Sequence, residues 1–327
     1  MSTFELKLGV DFVTLYDSDL WGAAGYDSLF NPQAVPPERF WDRALDIVGS
    51  TGVQGVELTT GVADYRSALA RYQTPEGFVS ALGDRGLRLC SGFYTGLFFD
   101  ADQRRRTHIW HDPVERERIL REVAEYAEFV AAAGGVEIVI STPPRTSWDA
   151  PEPVFVDLDH MKSLADMVNQ MGYVARSRGV GLAVHPKAQG VCWFRRDINL
   201  LLSLTDPVYV DFCPDTAQIA LGGTNPVDVL IDQHERVPIT HWKDYTGTIS
   251  PYTPIDDHMP ERHHPLFAPV GQGKLDWAAW AGKLIEVGFS GWSIIELDAS
   301  PDPAADIAAA RRYIEDLVSE LQAEVIE

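Results

Sequence analysis

The feature that most restricts this chain is a repeat of pattern rather than of residues. Eight short apolar runs, rich in β-branched side chains, alternate with segments of helical periodicity. The runs are Lys7–Thr14, Gly55–Leu58, Leu87–Phe93, Val136–Ser141, Gly181–His185, Val208–Phe212, Pro238–Trp242 and Trp292–Leu297. Strand and helix in strict alternation make neighbouring strands parallel, because each crossover returns along a helix. Eight such units predict an α/β fold of one kind, the (β/α)8 or TIM barrel.

Local punctuation agrees. Asp112-Pro113 and Asn225-Pro226 each pair a capping side chain with a first-turn proline, and Asp276 stands before Trp277, Trp280 and Leu284. Gly52, Gly86, Gly135, Gly179 and Gly288 precede strands where a left-handed helix stop is expected. A last helix from Pro303 to Leu321 closes the ring through Ile307, Ile314 and Leu317. The 327 residues exceed one domain of roughly 150 residues, but barrels of this kind run longer as a unit. With no linker or low-complexity tract, residues 1–327 read as a single barrel domain.

Charge narrows the partners. Lys+Arg number 27 against 48 Asp+Glu, a formal net charge of -21, which argues against nucleic acid and anionic membrane, since both require a cationic face. No apolar run approaches the roughly 18 residues of a membrane span, and the first residues lack a signal-peptide pattern. Cys90, Cys192 and Cys213 are odd in number and form no CxxC pair. Reduced thiols and a cytoplasmic location are the expectation.

Three connections are longer than the usual two to six residues: 15–37, 94–112 and 243–273. Each follows a strand and so lies on the C-terminal face, where barrel active sites are built, and each is expected to cover or shape a pocket. Their aromatics, Trp21, Tyr26 and Phe30, then Phe98, Phe99 and Trp110, fit stacking on a sugar ring and fit subunit contacts equally. His108 and His111 lie in the second loop, and His258, His263 and His264 in the third; the latter read either as part of a lid or as an adventitious metal site.

Polar residues end the last four strands where apolar ones are expected: His185, Asp215, His241 and Glu296. Adjacent strand ends can bring them around one divalent cation. Two imidazoles with two carboxylates suit Mn²⁺, Co²⁺, Fe²⁺ or Zn²⁺ better than Mg²⁺ or Ca²⁺, which take all-oxygen shells. No G-x-G-x-x-G, Walker A or G-x-S-x-G sequence is present, which disfavours phosphoryl transfer and serine nucleophiles. Lys187, two residues past His185, falls on the same side of an extended strand and can hold or protonate a substrate oxygen. Lys243 alternates with His241 in the same way. Glu137 opens the fourth strand at the opposite end of the barrel and reads as structural. Arg195 and Arg196, beside Trp193, suit either an anionic substrate group or a solvated helix start.

Asp215-Thr-Ala-Gln218, His241-Trp-Lys-Asp244, Val270-Gly-Gln-Gly273 with Leu275-Asp276, and Gly288-Phe-Ser-Gly-Trp292 leading to Glu296 together resemble the xylose isomerase-like TIM-barrel superfamily. Val180–Ala188 with Leu202–Gly223 is most similar to its inosose dehydratase branch. The resemblance implies metal positions at Asp215, His241 and Glu296, and at His185 by place alone, since many members carry glutamate there. Gln218 replaces the histidine of the family's DTGH. The resemblance also implies that Glu57 faces the pocket, as a substrate contact or behind a ligand.

The chemistry expected is removal of a proton α to a ketone by Glu296 or His185, with the cation polarising the carbonyl, and loss of water from a keto-polyol or oxidised sugar. The catalytic set is then Glu296, His185 and Lys187, with Glu57, Lys243, Trp193 and Trp21 as substrate contacts and Mn²⁺ or Co²⁺ as the leading ion. The alternatives are a ketose isomerase or epimerase, a β-eliminating deglycosidase of 3-oxo-glycosides, and a non-catalytic sugar-binding barrel. A dimer or tetramer is expected.

Overall fold

The computed structural model describes residues 4–99, 104–146, 152–256 and 258–326. Its eight barrel strands are β1 (Lys7–Asp11), β2 (Gly55–Leu58), β3 (Arg88–Tyr94), β4 (Glu137–Ser141), β5 (Gly181–His185), β6 (Asp211–Phe212), β7 (Ile239–Trp242) and β8 (Trp292–Ile295). All neighbours are parallel, in the order β6-β5-β4-β3-β2-β1-β8-β7. The cylinder is completed between β6 and β7 by a single bridge, Asp215 to His241, with His241 N donating to Pro214 O at 2.9 Å. The Thr216 hydroxyl reinforces it, donating to Lys243 O at 2.6 Å and accepting from Lys243 N at 3.0 Å.

Alternation along each strand sorts side chains into two cores. Cys90, Val139, Ala183, Cys213, Ile239, Trp292 and Ile294 cluster inside the cylinder. Their neighbours Leu89, Ile138, Ile140, Leu182, Val184 and Ile295 join the larger core between sheet and helices. That outer layer is aromatic; Trp242 stacks on Trp277 with centroids 5.0 Å apart. The helices cap as expected: Asp112, Asn225 and Asp276 accept from Val114 N, Val227 N and Ala279 N.

Four expectations change. The first strand stops at Asp11 because its carboxylate takes Val13 N at 2.6 Å and turns Phe12–Leu15 into a 3-10 helix. The sixth keeps only two residues, as Tyr209 and Val210 turn back onto Asp206 O. Gly134, at φ +81°, is the left-handed stop that was expected at Gly135. A fourth long connection, 142–157, also rises on the C-terminal face; its residues 147–151 lie outside the described ones.

The long loops carry structure of their own. The first contains helix Ser18–Trp21 and a 3-10 turn, Tyr26–Phe30. The third contains an antiparallel ribbon, Asp244–Tyr245 with Phe267–Ala268, and helix Met259–His263. No described helix is long and apolar enough to cross a membrane, and all three cysteines are free and buried.

Candidate metal centre

The inward parity that fills the barrel floor continues upward into polar residues. His185 follows Ala183 by two, His241 follows Ile239, Asp215 follows Cys213, and Glu296 follows Ile294. Each offers one ligand atom, and these atoms all lie within 4.8 Å of one another, with every residue buried. The His185 and His241 rings are 4.9 Å apart, and Phe93 meets His185 edge-on at 5.1 Å, closing one side with an apolar wall.

The donor atoms fit a divalent transition-metal ion. Among the described residues, both ring nitrogens of His185 and Oδ2 of Asp215 are buried without a hydrogen-bond partner. His185 Nε2 lies 3.4 Å from Asp215 Oδ2, unaligned for a hydrogen bond. Each buried orphan costs about 1–3 kcal/mol, and a cation among them turns the cost into coordination. The other oxygen of Asp215 is already fixed: Oδ1 caps helix Thr216–Leu221 by accepting Gln218 N at 2.7 Å.

Around this group runs a second ring of partners. His241 Nδ1 contacts Glu296 Oε2 at 2.5 Å, and its Nε2 lies 3.0 Å from Glu57 Oε1. Ser91 Oγ donates to Glu57 Oε2 at 2.6 Å. Asp11 stands opposite Glu57 in the β1–β2 register; burial, and then Glu57, push its carboxyl well above the usual range. A carboxylate behind a ligating imidazole fixes its tautomer and orientation, and Glu57 occupies that position. Lys243 Nζ donates to Glu296 Oε1 at 2.6 Å and pairs with Asp298 Oδ2 at 2.9 Å.

Electrostatics follows from this wiring. Burial opposes charge on Glu296, but Lys243 and then His241 overcome it and hold the carboxyl well below its ordinary range. Burial likewise works against the Lys243 ammonium, and Asp298 and Glu296 reverse that, so its pKa rises. Burial lowers His185, which favours the neutral, ligating imidazole, and it lowers Lys187 as well. Among the described residues Lys187 has no carboxylate partner within ion-pair distance; its ammonium lies 5.5 Å from the Phe98 ring centroid.

A family model described as xylose isomerase-like TIM barrel matches residues 45–317. The chain belongs to this family. Inosose dehydratase of Geobacillus kaustophilus is 27% identical over 263 residues, covering 77% of this chain and 82% of that protein. Among solved structures, the IolI protein with a binding zinc atom superposes with a TM-score of 0.70 at 17% identity, covering 97% of this chain and 99% of that one. L-ribulose 3-epimerase does so with a TM-score of 0.68 at 13% identity, covering 99% and 98%. These two likenesses establish the shared fold. With inosose dehydratases among its sequence relatives, this member of the xylose isomerase-like family is an enzyme.

Within the family fold, other expected residues sort clearly. Trp193 and Trp21 are buried side chains rather than open stacking faces. Trp193 is 2% exposed and donates to Gln218 O at 3.1 Å, while Trp21 is 1% exposed and donates to Leu15 O at 2.6 Å. A buried indole N–H needs an acceptor, and in both cases a backbone carbonyl supplies it. Gln218 ties its helix to the β5 loop by accepting Ala188 N at 2.9 Å. Arg195 is held by Asp228 and Asp232, and Arg196 by Asp197 and Val156 O, so neither is an open anion clamp. His108 and His111 pack beside His160 and Ser163 at the start of helix Leu158–Arg176. His263 bonds Gln189 Oε1 at 2.9 Å, and His258 pairs with Glu261 on the surface. Glu137 is 4% exposed at the barrel floor, its carboxyl pushed up by burial.

Two residues of the centre escaped the sequence reading. Asp298 sits two beyond Glu296, and the alternation that singled out Lys187 also points to it. Asp244 is the anchor of the motif that includes it: its carboxylate accepts Gly271 N, Gly273 N, Leu275 N and Trp277 Nε1. A Cβ on Gly273 would stand 2.3 Å from Asp244 Oδ1, which explains why glycine is needed there.

Proposed function

We propose that this chain is a metal-dependent lyase that removes the proton α to the ketone of a keto-polyol or oxidised sugar and expels water from the adjoining carbon, as an inosose dehydratase does. The observation that carries this reading is the buried convergence of His185, Asp215, His241 and Glu296, with Lys187 lacking an ion-pair partner among the described residues. The two-imidazole, two-carboxylate set favours Mn²⁺ or Co²⁺, with Fe²⁺ and Zn²⁺ also accommodated. When bound, such a cation acts as a Lewis acid that stabilises negative charge on a carbonyl oxygen.

Glu296 takes the α-proton on Oε1, and Lys243 holds that oxygen in place beforehand. When Glu296 becomes neutral, Asp298 still neutralises Lys243 at 2.9 Å, so no buried cation is stranded. Lys187 gives a proton to the departing hydroxyl, which leaves as water. Passage of the captured proton from Glu296 to Lys187 through solvent then restores both groups. Epimerisation calls for a second carboxylate facing Glu296 across the substrate, and β5 ends instead on His185.

The test is elemental analysis of the purified protein beside His241→Ala, followed by presentation of inosose with ultraviolet detection of a conjugated enone. Near-stoichiometric metal, lost in the variant, together with enone formation is the expected result. Absence of metal after dialysis against Mn²⁺ or Co²⁺ overturns the mechanism and leaves a sugar-binding barrel. Ketose interconversion without enone would make the chain an epimerase.

A further inference from the structure

Two loops meet across the mouth of the site. β8 lies between β1 and β7 in the barrel order. Tyr26 stands in the loop after β1 and His264 in the loop after β7, and their rings meet edge to face with centroids 4.3 Å apart. A contact between those loops spans the end of β8, where Asp298 follows Glu296 on the same inward face. Among the described residues none hydrogen-bonds the Tyr26 hydroxyl or the His264 ring nitrogens. Both side chains, like Asp298, remain partly open to solvent.

The backbone here is held in an unusual shape. Ala299 adopts φ +56°, a left-handed conformation that a non-glycine residue keeps only under constraint. The constraint is visible: Leu297 N bonds Thr14 Oγ1 at 3.2 Å, Ala299 N bonds Val13 O at 3.2 Å, and Ser300 N bonds Thr14 O at 2.9 Å. These tethers to the β1 loop fix where Asp298 stands. Gln189, two residues past Lys187, is likewise left-handed at φ +61° and is pinned through its side chain to Thr253 O and His263. After burial itself, Asp298 is the largest electrostatic influence on Tyr26, Lys187 and His264 alike. A carboxylate that accepts, a phenol and an imidazole that do both, and an ammonium that donates match hydroxyl groups, each of which donates and accepts.

We propose that Asp298, Tyr26 and His264 form a hydroxyl-recognition wall that grips the part of a polyol substrate remote from its carbonyl and so selects which polyol is accepted. The inference rests on the lyase reading above, and the test separates the two. KM for inosose is measured alongside the inhibition constant of hydroxyacetone, which carries only a ketone and its neighbouring hydroxyl. Tyr26→Phe and His264→Leu are each expected to raise KM for inosose roughly three- to tenfold, the loss of one hydrogen bond. Hydroxyacetone inhibition and metal content should stay at the wild-type level. Unchanged KM in both variants overturns the proposal. So does equal weakening of both ligands, which would mean general disturbance of the site. Absence of turnover by the metal-loaded wild type with any keto-polyol overturns the lyase reading, and this inference with it.

Discussion

Replacing Lys243 by methionine probes the electrostatic centre of the site. The side chain is fully buried and bridges Glu296 at 2.6 Å and Asp298 at 2.9 Å, whose side chains are only 8% and 13% exposed. Breaking a buried pair from one side costs about 3–5 kcal/mol, because the remaining charge is left uncompensated. Unfolding entropy of about 2.1 cal/mol/K per residue gives about 0.7 kcal/mol/K for a chain of this length, so the midpoint should fall by roughly 4–7 °C at neutral pH. The pH dependence identifies the cause. In the native protein Glu296 has a pKa held below its unfolded value by Lys243, so its contribution is complete above about pH 4.3 and fades as pH falls through the folded value. In the variant, burial is opposed only by His241 and His185, so the folded pKa rises relative to the native protein and the added penalty is relieved on acidification. The gap between the two proteins therefore narrows from pH 7.5 to pH 4.5 in thermal or urea unfolding without metal. A gap of equal size at both pH values would refute this reasoning and assign the loss to packing of the lysine stem against Phe267, whose ring centroid is 4.0 Å from Nζ.

Glu57→Gln removes the carboxylate behind His241 and should weaken metal binding about 10–100-fold in a chelator competition; affinity within twofold of wild type would show that Glu57 does not orient the ligand. Asp215→Asn keeps an oxygen to cap Gln218 N, so metal should be lost in elemental analysis while the metal-free melting temperature holds within a few degrees. Asp244→Ala strands three backbone N–H groups and an indole. At about 1 kcal/mol or more each, a loss of at least 3 kcal/mol in denaturant unfolding is expected.

Much of this arrangement was legible because period-two alternation is geometric. Once Ala183, Ile239 and Ile294 point inward, so do His185, His241 and Glu296, and the structure brings all three together with Asp215. What the pattern could not carry were competitions for single hydrogen bonds. Asp11 ends β1 by capturing Val13 N, which no hydropathy profile registers. Trp21 and Trp193 were expected as substrate contacts, and each buried indole N–H donates to a nearby carbonyl. Asp298 lay past the last β-branched residue of its strand, and the alternation was followed there only as far as Glu296. The Asp11–Glu57–Ser91 group depends on register across three strands, including a shift between Val56 and Glu57, and register is written in pairing rather than in any one segment.

The closure between β6 and β7 has a consequence for how the molecule matures. His185 and Asp215 come from one margin of the sheet, His241 and Glu296 from the other, and a single bridge joins the margins. A chain whose margins have not met owns only half a coordination set. An ion bound there as proposed would be held by the full set only in a cylinder whose circumference is complete, so its capture would proofread assembly. Stripping the ion should loosen this junction before any other, and amide exchange at His241 and Lys243 would be the first to quicken.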